Sequence, residues 1–571
     1  METFASRLAG WWVEPGPAGP PGHLVPRWLF LRALGVIYFS AFYSLLFQIR
    51  GMLGPQGLLP AGTYLEEVAK AMGRTRFWYA PTLLWFASGD PALMVLCWVG
   101  LIASLLLLIN LRPRAMLAIC FVCFLSFIAA AQDFSGYQSD GMLLCAGFIS
   151  YFLAPRGWRP GWGAQDPPAR APLFLLRLLW FTIYFESGVA KYFGGDPTWR
   201  DLSAMNEYYQ NGPLPTWIGW YAQQFPHRFH QTTAFVTLCL ELLAPWMLWL
   251  PRRARVVCFF FVTFLQLGII LTANYAFLNY LVLALGVFLL DDIFLVQFVP
   301  GGWCNPVRGS LQRASSGPWH ASLFKAFEGP NEPVSLSLTT CSDEAPKAVS
   351  TKRVEAFELR SNIRNAFRAV SVGTKTLVLA WVFYAMAFLM LQQISPGLPL
   401  PAKPVAALDP FRIANSYGLF GRMTWARYEI ELQGSNDGAN WVVYPFRYKP
   451  QGLNVAPGIY APYQPRFEWN LWFASLGTWR ENPFVIRTEE QLLLNTPDVL
   501  ALFRSNPFAQ SPPRFVRSVV WQYWFTDRTT KRATGQWWRR EFRGLYAPTL
   551  ERTSEGKIMV SEWPQTFLPP P

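Results

Sequence analysis

The feature that most constrains this chain is a series of apolar runs, each long enough to cross a lipid bilayer. A membrane-spanning helix needs roughly 20 consecutive, mostly apolar residues. Of the 571 residues 52% are hydrophobic and 15% are charged, whereas soluble domains carry roughly 25% charged residues. The sequence therefore predicts an α-helical polytopic membrane bundle of about nine spans. The predicted spans cover residues 28–48, 90–110, 114–133, 140–154, 172–191, 232–250, 254–273, 276–297 and 374–393.

The distribution of basic residues predicts which side of the membrane each loop occupies. Arginines are concentrated between spans two and three, four and five, and six and seven, and basic residues recur through 299–372. These loops share one side if the spans alternate, and the positive-inside rule makes that side cytosolic. The net charge of +14 therefore reflects topology, and nucleic acid is not expected as a partner. Lys70, Arg74 and Arg76 in the first external loop are exceptions to the pattern.

These spans divide the chain into five predicted parts. Residues 1–27 form a cytosolic tail, because no small-residue cleavage pattern follows the first apolar run and we expect that run to be retained as an anchor. Residues 28–298 form the transmembrane domain, and 299–372 a basic cytosolic loop rich in Pro, Gly and Ser. Residues 373–393 form the last transmembrane helix. Residues 394–571 then lie outside, in a lumen or periplasm.

The external part changes its sequence period. Aromatic and β-branched residues partly alternate with polar ones over 422–432 and 440–448, and the intervening 434-GSNDG-438 is typical of a hairpin turn. The stretch 486–505 looks helical. We therefore expect a β-rich, sandwich-like extramembrane domain with some helix.

Cysteines and histidines give little sign of a chemical site. Six of the eight cysteines lie in apolar spans and none lies after residue 394, so a disulfide framework is not expected. His227 and His230 have a metal-ligand spacing, but no carboxylate or thiol nearby completes a set. We expect no metal and no cofactor. The chain has no Asn-x-Ser/Thr acceptor site, which favours a bacterial source.

Several segments carry a resemblance that runs collinearly over nearly the whole chain. Among them are 186-ESGVAKYFGGDPTWRD-201, 273-ANYAFLNY-280, 417-YGLFGRMT-424, 463-YQPRFEWNLWF-473 and 537-WWRR-540. Together they resemble the lipase maturation factor family. The resemblance implies a multipass membrane protein, resident in the endoplasmic reticulum in animals, that helps dimeric secreted lipases fold and assemble. It also implies that the lumenal C-terminal domain holds the client.

A second, shorter resemblance concerns Lys191. The stretch Gly188-Val189-Ala190-Lys191 followed by Trp199 is similar to a segment of the vitamin K-dependent gamma-carboxylase and its membrane relatives. In that family the matching lysine is the catalytic base. This resemblance implies an alternative function, a membrane enzyme that uses Lys191 as a base.

Charged residues inside the predicted spans are the first group of site candidates. Glu186 and Lys191 are five residues apart, about 140° round a helix, so they do not form a local ion pair. Lys191 is either a snorkelling or structurally paired lysine, with Asp140 as one possible partner, or a desolvated base. For Glu186 we expect a partner such as Arg177. A roomy polar pocket with Asp140 and Asn274 converging on Lys191 would favour the enzyme hypothesis.

The second group of candidates lies in the external loops and the external domain. Asp196 is expected to cap a short helix, while exposed tryptophan and arginine are typical interface anchors. The stretch 463–473 is interpreted either as a packed aromatic core with an Arg466–Glu468 ion pair or as a client surface. The remaining candidates from the family segments are Trp199, Arg200, Asp201, Asn274, Asn279, Trp469 and Trp472.

The sequence therefore predicts a membrane-bound maturation or folding factor that acts passively on exported proteins, lipases by resemblance. Its expected partners are a secreted client and membrane lipid. We expect the endoplasmic reticulum membrane in a eukaryote or the inner membrane in a bacterium. A lipid-binding or transport role is a third hypothesis, but few intramembrane charges could line a path.

Overall fold

The computed structural model describes residues 12–13, 22–299 and 351–565, with side chains from residue 366 onward in the last range. Most of the predicted cytosolic tail 1–27 and much of the predicted loop 299–372 lie outside the described residues. In the part of the chain that the structure describes, nine helices overlap the predicted spans and form the membrane bundle. They are α1 (Leu24–Leu46), α2 (Asp90–Leu108), α3 (Pro113–Ile128), α4 (Gln138–Leu153), α5 (Arg170–Phe193), α6 (His227–Leu242), α7 (Arg252–Thr272), α8 (Leu278–Gly286) and α9 (Thr351–Ile394).

Each predicted span overlaps one of these helices, but the predicted span 276–297 is broken, since α8 ends at Gly286 and the helical segments on either side of residue 290 are bent by 100°. By length and apolar composition, six helical segments in the described residues could cross a membrane. The helical segments Leu278–Leu289 and Asp292–Phe298, which meet at a bend of 100°, would make a seventh if they form one span. Helix α3 is apolar but shorter. The chain is therefore a multi-pass membrane protein, and the count of about nine spans stays a prediction. Helix α9 begins at Thr351, inside the segment predicted as a loop, where Ala, Glu, Leu and Arg favour helix.

Shorter helices occupy the connections between the long ones. Before α9 they are Ile49–Leu53, Ala61–Met72, Arg76–Tyr79, Pro197–Arg200, Tyr208–Asn211, Trp217–Gln223 and Asp292–Leu295. After α9 they are Lys403–Ala406, Pro497–Leu500 and Arg528–Thr534. Most of those before α9 lie on the side of the bundle that faces the external domain.

The two ends of the bundle are closed by different contacts. At the end away from the external domain, the Asp292 carboxylate accepts hydrogen bonds from the backbone N–H groups of Leu24 (3.1 Å) and Val25 (2.7 Å). The Arg27 guanidinium donates there to the carbonyl of Gly163 at 2.9 Å. At the opposite end, the side chain of Gln48 donates to the carbonyl of Gln464 in the external domain at 2.9 Å.

The external domain is built on one antiparallel sheet of six strands. They are β1 (Arg427–Ser435), β2 (Val442–Val443), β3 (Phe515–Phe525), β4 (Trp538–Leu545), β5 (Thr549–Arg552) and β6 (Ile558–Glu562). The order is β2-β1-β3-β5-β6, and β4 also pairs with β3. Strand β3 pairs with β5 at its first two residues and with β4 from Val519 onward, so the sheet branches at this edge.

Helices cover one side of this sheet. Helix α10 (Arg466–Ala474) buries Phe467, Leu471 and Ala474, and α11 (Phe484–Leu493) packs on β3 and β5. The Ser475 hydroxyl donates to the carbonyl of Tyr428 in β1 at 2.9 Å. The prediction of a β-rich external domain is confirmed. In the described residues its second layer is helical, because apolar residues in α10 recur at spacings of three and four.

Candidate functional site

The predicted site residues meet where the external domain sits on the membrane domain. Asp140, at the start of α4, accepts two hydrogen bonds from the Arg466 guanidinium, both at 2.7 Å. Arg466 begins α10 and also donates to the carbonyl of Phe134 at 2.9 Å. Both charged side chains are at most 1% exposed. The pair therefore joins the two domains through a buried, two-pronged ion pair.

Glu468 has a different role from the one expected. Its carboxylate accepts the backbone N–H groups of Arg447, Tyr448 and Lys449 at 2.6–2.8 Å. Burial raises the pKa of Glu468 above its usual range, although these bonds oppose the shift. The predicted Arg466–Glu468 ion pair is wrong, because each group has its own partners on different elements.

The neighbouring tryptophans are buried. Trp469 and Trp472 are 5% and 6% exposed. The Trp469 ring stacks on Tyr137 of the membrane domain with ring centroids 5.0 Å apart. The packed-core interpretation therefore fits these two rings, whereas Phe473 in the same stretch is 45% exposed.

Lys191 lies near the end of α5 and is 2% exposed. Its Nζ atom is 2.7 Å from the Glu241 carboxylate of α6 and donates to the carbonyl of Leu419 at 2.6 Å. It also lies 5.2 Å from the centroid of the Trp199 ring. Lys191 is therefore structurally paired, as one hypothesis held, but its partner is Glu241 and not Asp140. Glu241 falls inside the predicted span 232–250, and a lone carboxylate in such a run was the signal that could have identified it.

Glu186 also connects the domains. Its carboxylate accepts the backbone N–H of Tyr417 at 2.6 Å, and its carbonyl accepts from the Gln393 side chain of α9 at 2.8 Å. The expected pairing with Arg177 is wrong. The Arg177 guanidinium donates instead to the carbonyl of Phe288 at 3.0–3.1 Å, at the other end of α5.

The loop after α5 joins the same interface. The Asp196 side chain accepts the backbone N–H of Thr198 at 2.9 Å, as the capping interpretation predicts, and that of Met423 at 2.6 Å. Trp199 is buried and donates from Nε1 to the carbonyl of Phe420 at 3.0 Å. Arg200 is exposed and donates to the carbonyl of Tyr192 at 2.9 Å, and Asp201 accepts the backbone N–H of Ser203.

The two predicted asparagines act in different places. The Asn274 side chain accepts the backbone N–H groups of Tyr460 (2.6 Å) and Ala461 (3.0 Å) and donates to the carbonyl of Gly458 at 3.0 Å. Asn279 donates to the Gln266 side chain at 2.6 Å, inside the bundle. Asn274 therefore binds the external domain, whereas Asn279 stabilises packing between α7 and α8.

We call this set of contacts the docking interface. It contains Asp140, Glu186, Lys191, Asp196, Trp199 and Asn274 from the membrane domain and Arg466 and residues 417–423 and 458–461 from the external domain. Sequence reasoning missed Arg427, which donates to the carbonyls of Gln210 and Pro213 at 2.9 Å and pairs with Glu429. Its two partners in the membrane domain are more than 200 residues away in sequence, so no local pattern marks this contact.

The convergence that would favour the enzyme hypothesis is not what the contacts show. Asp140 binds Arg466, Asn274 binds the backbone of residues 458–461, and Lys191 binds Glu241 and Leu419. Over residues 22–299 and 366–565, no group of three or more His, Cys, Asp and Glu side chains could hold a metal ion. His227 contacts Asn206, and His230 contacts the carbonyl of Phe225.

Comparison with known proteins gives the family. A family model described as the lipase maturation factor transmembrane domain matches residues 25–297, and one described as the lipase maturation factor C-terminal domain matches 413–548. The chain is 31% identical to lipase maturation factor 2 of Gallus gallus, covering 92% of this chain and 81% of the relative. The chain belongs to the lipase maturation factor family.

Other members of the lipase maturation factor family match over similar lengths. Lipase maturation factor 2 of Homo sapiens is 30% identical over 93% of this chain and 83% of its own length. Lipase maturation factor 1 of Bos taurus is 28% identical over 99% and 98%. No solved structure matches the chain. The docking interface thus joins the two parts that define the lipase maturation factor family.

The C-terminal family segment also carries an exposed surface that we call the outer face. Residues directly paired across antiparallel strands share one face of a sheet, and this face includes Trp521 and Phe542, which are paired. The rings of Trp521 and Phe542 are 5.3 Å apart, and Phe542 is 52% exposed. The Arg540 guanidinium lies 3.9 Å from the Trp521 ring, and that of Arg517 lies 3.9 Å from the Trp441 ring. Large exposed aromatic and arginine residues are typical of protein-binding surfaces.

Proposed function

We propose that this chain is a membrane maturation factor for lipases that holds its client passively. The family membership of both domains carries the proposal, because the relatives are named as lipase maturation factors. The docking interface supports a holding role, since its buried polar groups are engaged between the two domains. A domain fixed in this way presents its outer face to a client at a constant position relative to the membrane.

The outer face is the surface that we assign to the client. A folding helper must bind apolar patches that the finished protein hides. Phe542 and Met559 lie on this face and are each 52% exposed. Arg517 and Arg540 lie beside them, but their guanidinium groups are bound to Gln433 and Glu431, so the exposed apolar side chains are the part of this face that we assign to the client. The buried Trp469 and Trp472 do not belong to this surface.

The hypothesis of a membrane enzyme is not supported by the geometry. A lysine base needs a lowered pKa and access to a substrate. Lys191 is instead buried, with its Nζ atom paired to Glu241 and bonded to a backbone carbonyl. We therefore assign Lys191 to the docking interface, and the resemblance to the gamma-carboxylase stays a prediction.

We further propose that the external domain lies in the lumen or periplasm. The basic loops predicted to be cytosolic join helices at the end of the bundle away from this domain, where Arg112 and Arg156 lie. The positive-inside rule then makes the opposite side external. The location in the endoplasmic reticulum or inner membrane, the contact with lipid and the bacterial source remain predictions.

Coexpression with a lipase tests this function. Cells that lack their own members of the family would express a secreted lipase with or without the full chain, and the activity per secreted lipase molecule would be measured. We expect that activity to rise several-fold with the chain. Equal activity with and without the chain, with the chain shown to reach the membrane, would contradict the proposal.

Site-specific crosslinking tests the surface. A photoreactive amino acid replaces Phe542 in the full chain, and a matched variant carries it at Trp158, which is 57% exposed at the other end of the bundle. We expect crosslinks to the lipase only from position 542. Equal crosslinking from both positions would show that the outer face does not hold the client.

A further inference from the structure

A cleft of about 620 Å³ lies beside the docking interface, between the loop that follows α5 and the end of the external sheet. One wall comes from residues 198–224 of the membrane domain. The other comes from residues 423–425, the end of β3 and the first part of β4. None of the roles described above uses this cleft, which we call the polar cleft.

The two walls are held together by amide side chains. Gln210 Oε1 accepts the backbone N–H of Phe525 at 3.0 Å, and Gln224 Nε2 donates to the carbonyl of Thr526 at 3.1 Å. Both bonds run from the membrane domain to β3. The polar cleft is therefore formed before a ligand binds, which lowers the entropic cost of binding.

Flat aromatic rings line the external wall. Trp425 is 60% exposed, and Trp524 also lines the cleft, with the Arg539 guanidinium 4.7 Å from its ring centroid. An exposed tryptophan offers a large apolar face with a single polar atom. Such a face suits the C–H side of a sugar ring.

Polar groups that can both donate and accept line the other wall. Glu207 and Asn206 lie there beside Gln223, whose Oε1 atom is shielded from solvent and has no hydrogen-bond partner in the described residues. Carboxylate oxygens only accept, while an amide group both donates and accepts. Hydroxyl groups on a ring edge need this mixture, because each hydroxyl donates once and accepts twice.

Other ligand classes fit the polar cleft less well. Two carboxylates, of Glu207 and Asp527, face a single guanidinium of Arg539, so a phosphate or nucleic acid would meet net negative charge. An added peptide strand would need a free strand edge. Strand β3 is paired on both sides here, with Arg427 opposite Tyr523 and Arg539 opposite Trp524.

We propose that the polar cleft binds a neutral oligosaccharide. The exposed ring of Trp425, with Trp524 in the same wall, stacks on the sugar rings, and Glu207, Asn206 and Gln223 bond their hydroxyl groups. This step rests on the proposed function in a eukaryotic secretory pathway, to which the relatives belong, rather than on the bacterial source that the missing acceptor sites favour. The sugar is then a glycan of the exported client, since secreted proteins carry glycans at surface Asn-x-Ser/Thr sites. The maturation factor would then hold its client by two independent contacts.

Direct binding tests the proposal. The full chain is placed in lipid nanodiscs, because glycoside detergents would compete with a sugar ligand. The probe is a fluorescently labelled, mannose-terminated Asn-linked oligosaccharide, and its anisotropy is measured during titration. We expect saturable binding that weakens at least tenfold in Trp425→Ala and several-fold in Glu207→Gln.

A matched control separates the cleft from general aromatic adsorption. Trp563 is 63% exposed in the same domain and does not line the cleft. We expect Trp563→Ala to bind the oligosaccharide as the wild type does. Because Trp425 is largely exposed, its variant should also keep the wild-type unfolding midpoint. Absent saturable binding to the wild type, or an equal loss in both tryptophan variants, would overturn the proposal, as would displacement of the probe by an unglycosylated client peptide.

The lipase activity assay distinguishes this proposal from the function on which it rests. If the wild type binds the oligosaccharide but no lipase matures, the cleft assignment stands and the maturation role fails. If lipases mature but the wild type binds no oligosaccharide, the maturation role stands and the cleft assignment is wrong.

Discussion

The docking interface and the outer face both place arginine against aromatic rings, but under opposite conditions. In the docking interface, Arg466 is 4.9 Å from the Phe127 ring and fully buried. On the outer face, Arg540 is 3.9 Å from the Trp521 ring, and its side chain is 25% exposed. Burial makes an unpaired charge very costly, whereas water screens an exposed one. The first region is therefore closed by its partners. In the second region Arg540 is paired with Glu431 at 3.0 Å, but the ring of Phe542 is 52% exposed and open to a binding partner.

The largest expected effect comes from Arg466→Ala, which leaves the Asp140 carboxylate buried without its cation. Removing one partner of a buried pair costs about 3–5 kcal/mol. We expect the free energy of unfolding of the purified full chain to fall by that amount, measured by denaturant titration in detergent micelles. The double variant Asp140→Leu, Arg466→Met should regain much of the loss, because it removes both charges.

An exposed pair supplies the control for this comparison. Arg487 and Glu490 are 2.8 Å apart on α11, with side chains 48% and 31% exposed. Such pairs contribute about 0–1 kcal/mol, so Arg487→Ala should lower the free energy of unfolding by no more than about 1 kcal/mol. A loss for Arg466→Ala no larger than for Arg487→Ala would show that burial does not distinguish the docking interface.

The second prediction concerns Lys191, whose loss leaves Glu241 unpaired in the bundle. Lys191→Met should lower the free energy of unfolding by about 3 kcal/mol, and adding Glu241→Leu should restore most of it. If Lys191 is structural, the double variant also supports lipase maturation at the wild-type level in the coexpression assay. A double variant that is stable but does not support lipase maturation would contradict the structural role and favour the hypothesis that Lys191 acts as a base.

The sequence made the spans and the local contacts predictable but not the pairs between domains. Hydropathy is a property of neighbouring residues, so every predicted span overlaps a helix, although the bend near residue 290 was not predicted. The Asp196 cap could be predicted because its partner Thr198 is two residues away. The partner of Asp140 is 326 residues away, and only the fold brings the two together. The residues of the docking interface were thus recognised as candidates, whereas most of their partners were not.

The third prediction concerns a buried carboxylate whose pKa is set by burial. Glu489 of α11 is fully buried, and burial raises its pKa well above the usual range, opposed by hydrogen bonding from Ser518. Its contribution to stability is complete below the unfolded pKa of about 4.3 and is lost as pH rises through the folded pKa. At a pH above the folded pKa of Glu489, the Glu489→Gln variant should be more stable than the wild type. Each unit by which folding raises the pKa corresponds to about 1.4 kcal/mol in the free energy of unfolding.

The direction of this pH dependence is checked by measuring the unfolding midpoints of Glu489→Gln and the wild type between about pH 5 and pH 9. The two curves should converge toward the acidic end and separate toward the alkaline end, with the wild type lower. Parallel curves would mean that burial does not raise the pKa of Glu489.

The smallest expected effect on stability comes from the outer face, and it is the most informative for function. Phe542 is 52% exposed, and surface substitutions usually change stability by less than about 0.5 kcal/mol. Phe542→Ser should therefore leave the unfolding midpoint unchanged but reduce the lipase recovered with the full chain several-fold in a quantitative pull-down. Ile558→Ser is the matched control, since Ile558 is an exposed strand residue at 37% exposure. It lies on the edge strand β6 and pairs with Arg552, away from Trp521. We therefore expect Ile558→Ser to reduce lipase recovery less than Phe542→Ser does. If Phe542→Ser recovers as much lipase as the wild type, the outer face does not bind the client through Phe542, and another surface of the external domain must hold the client.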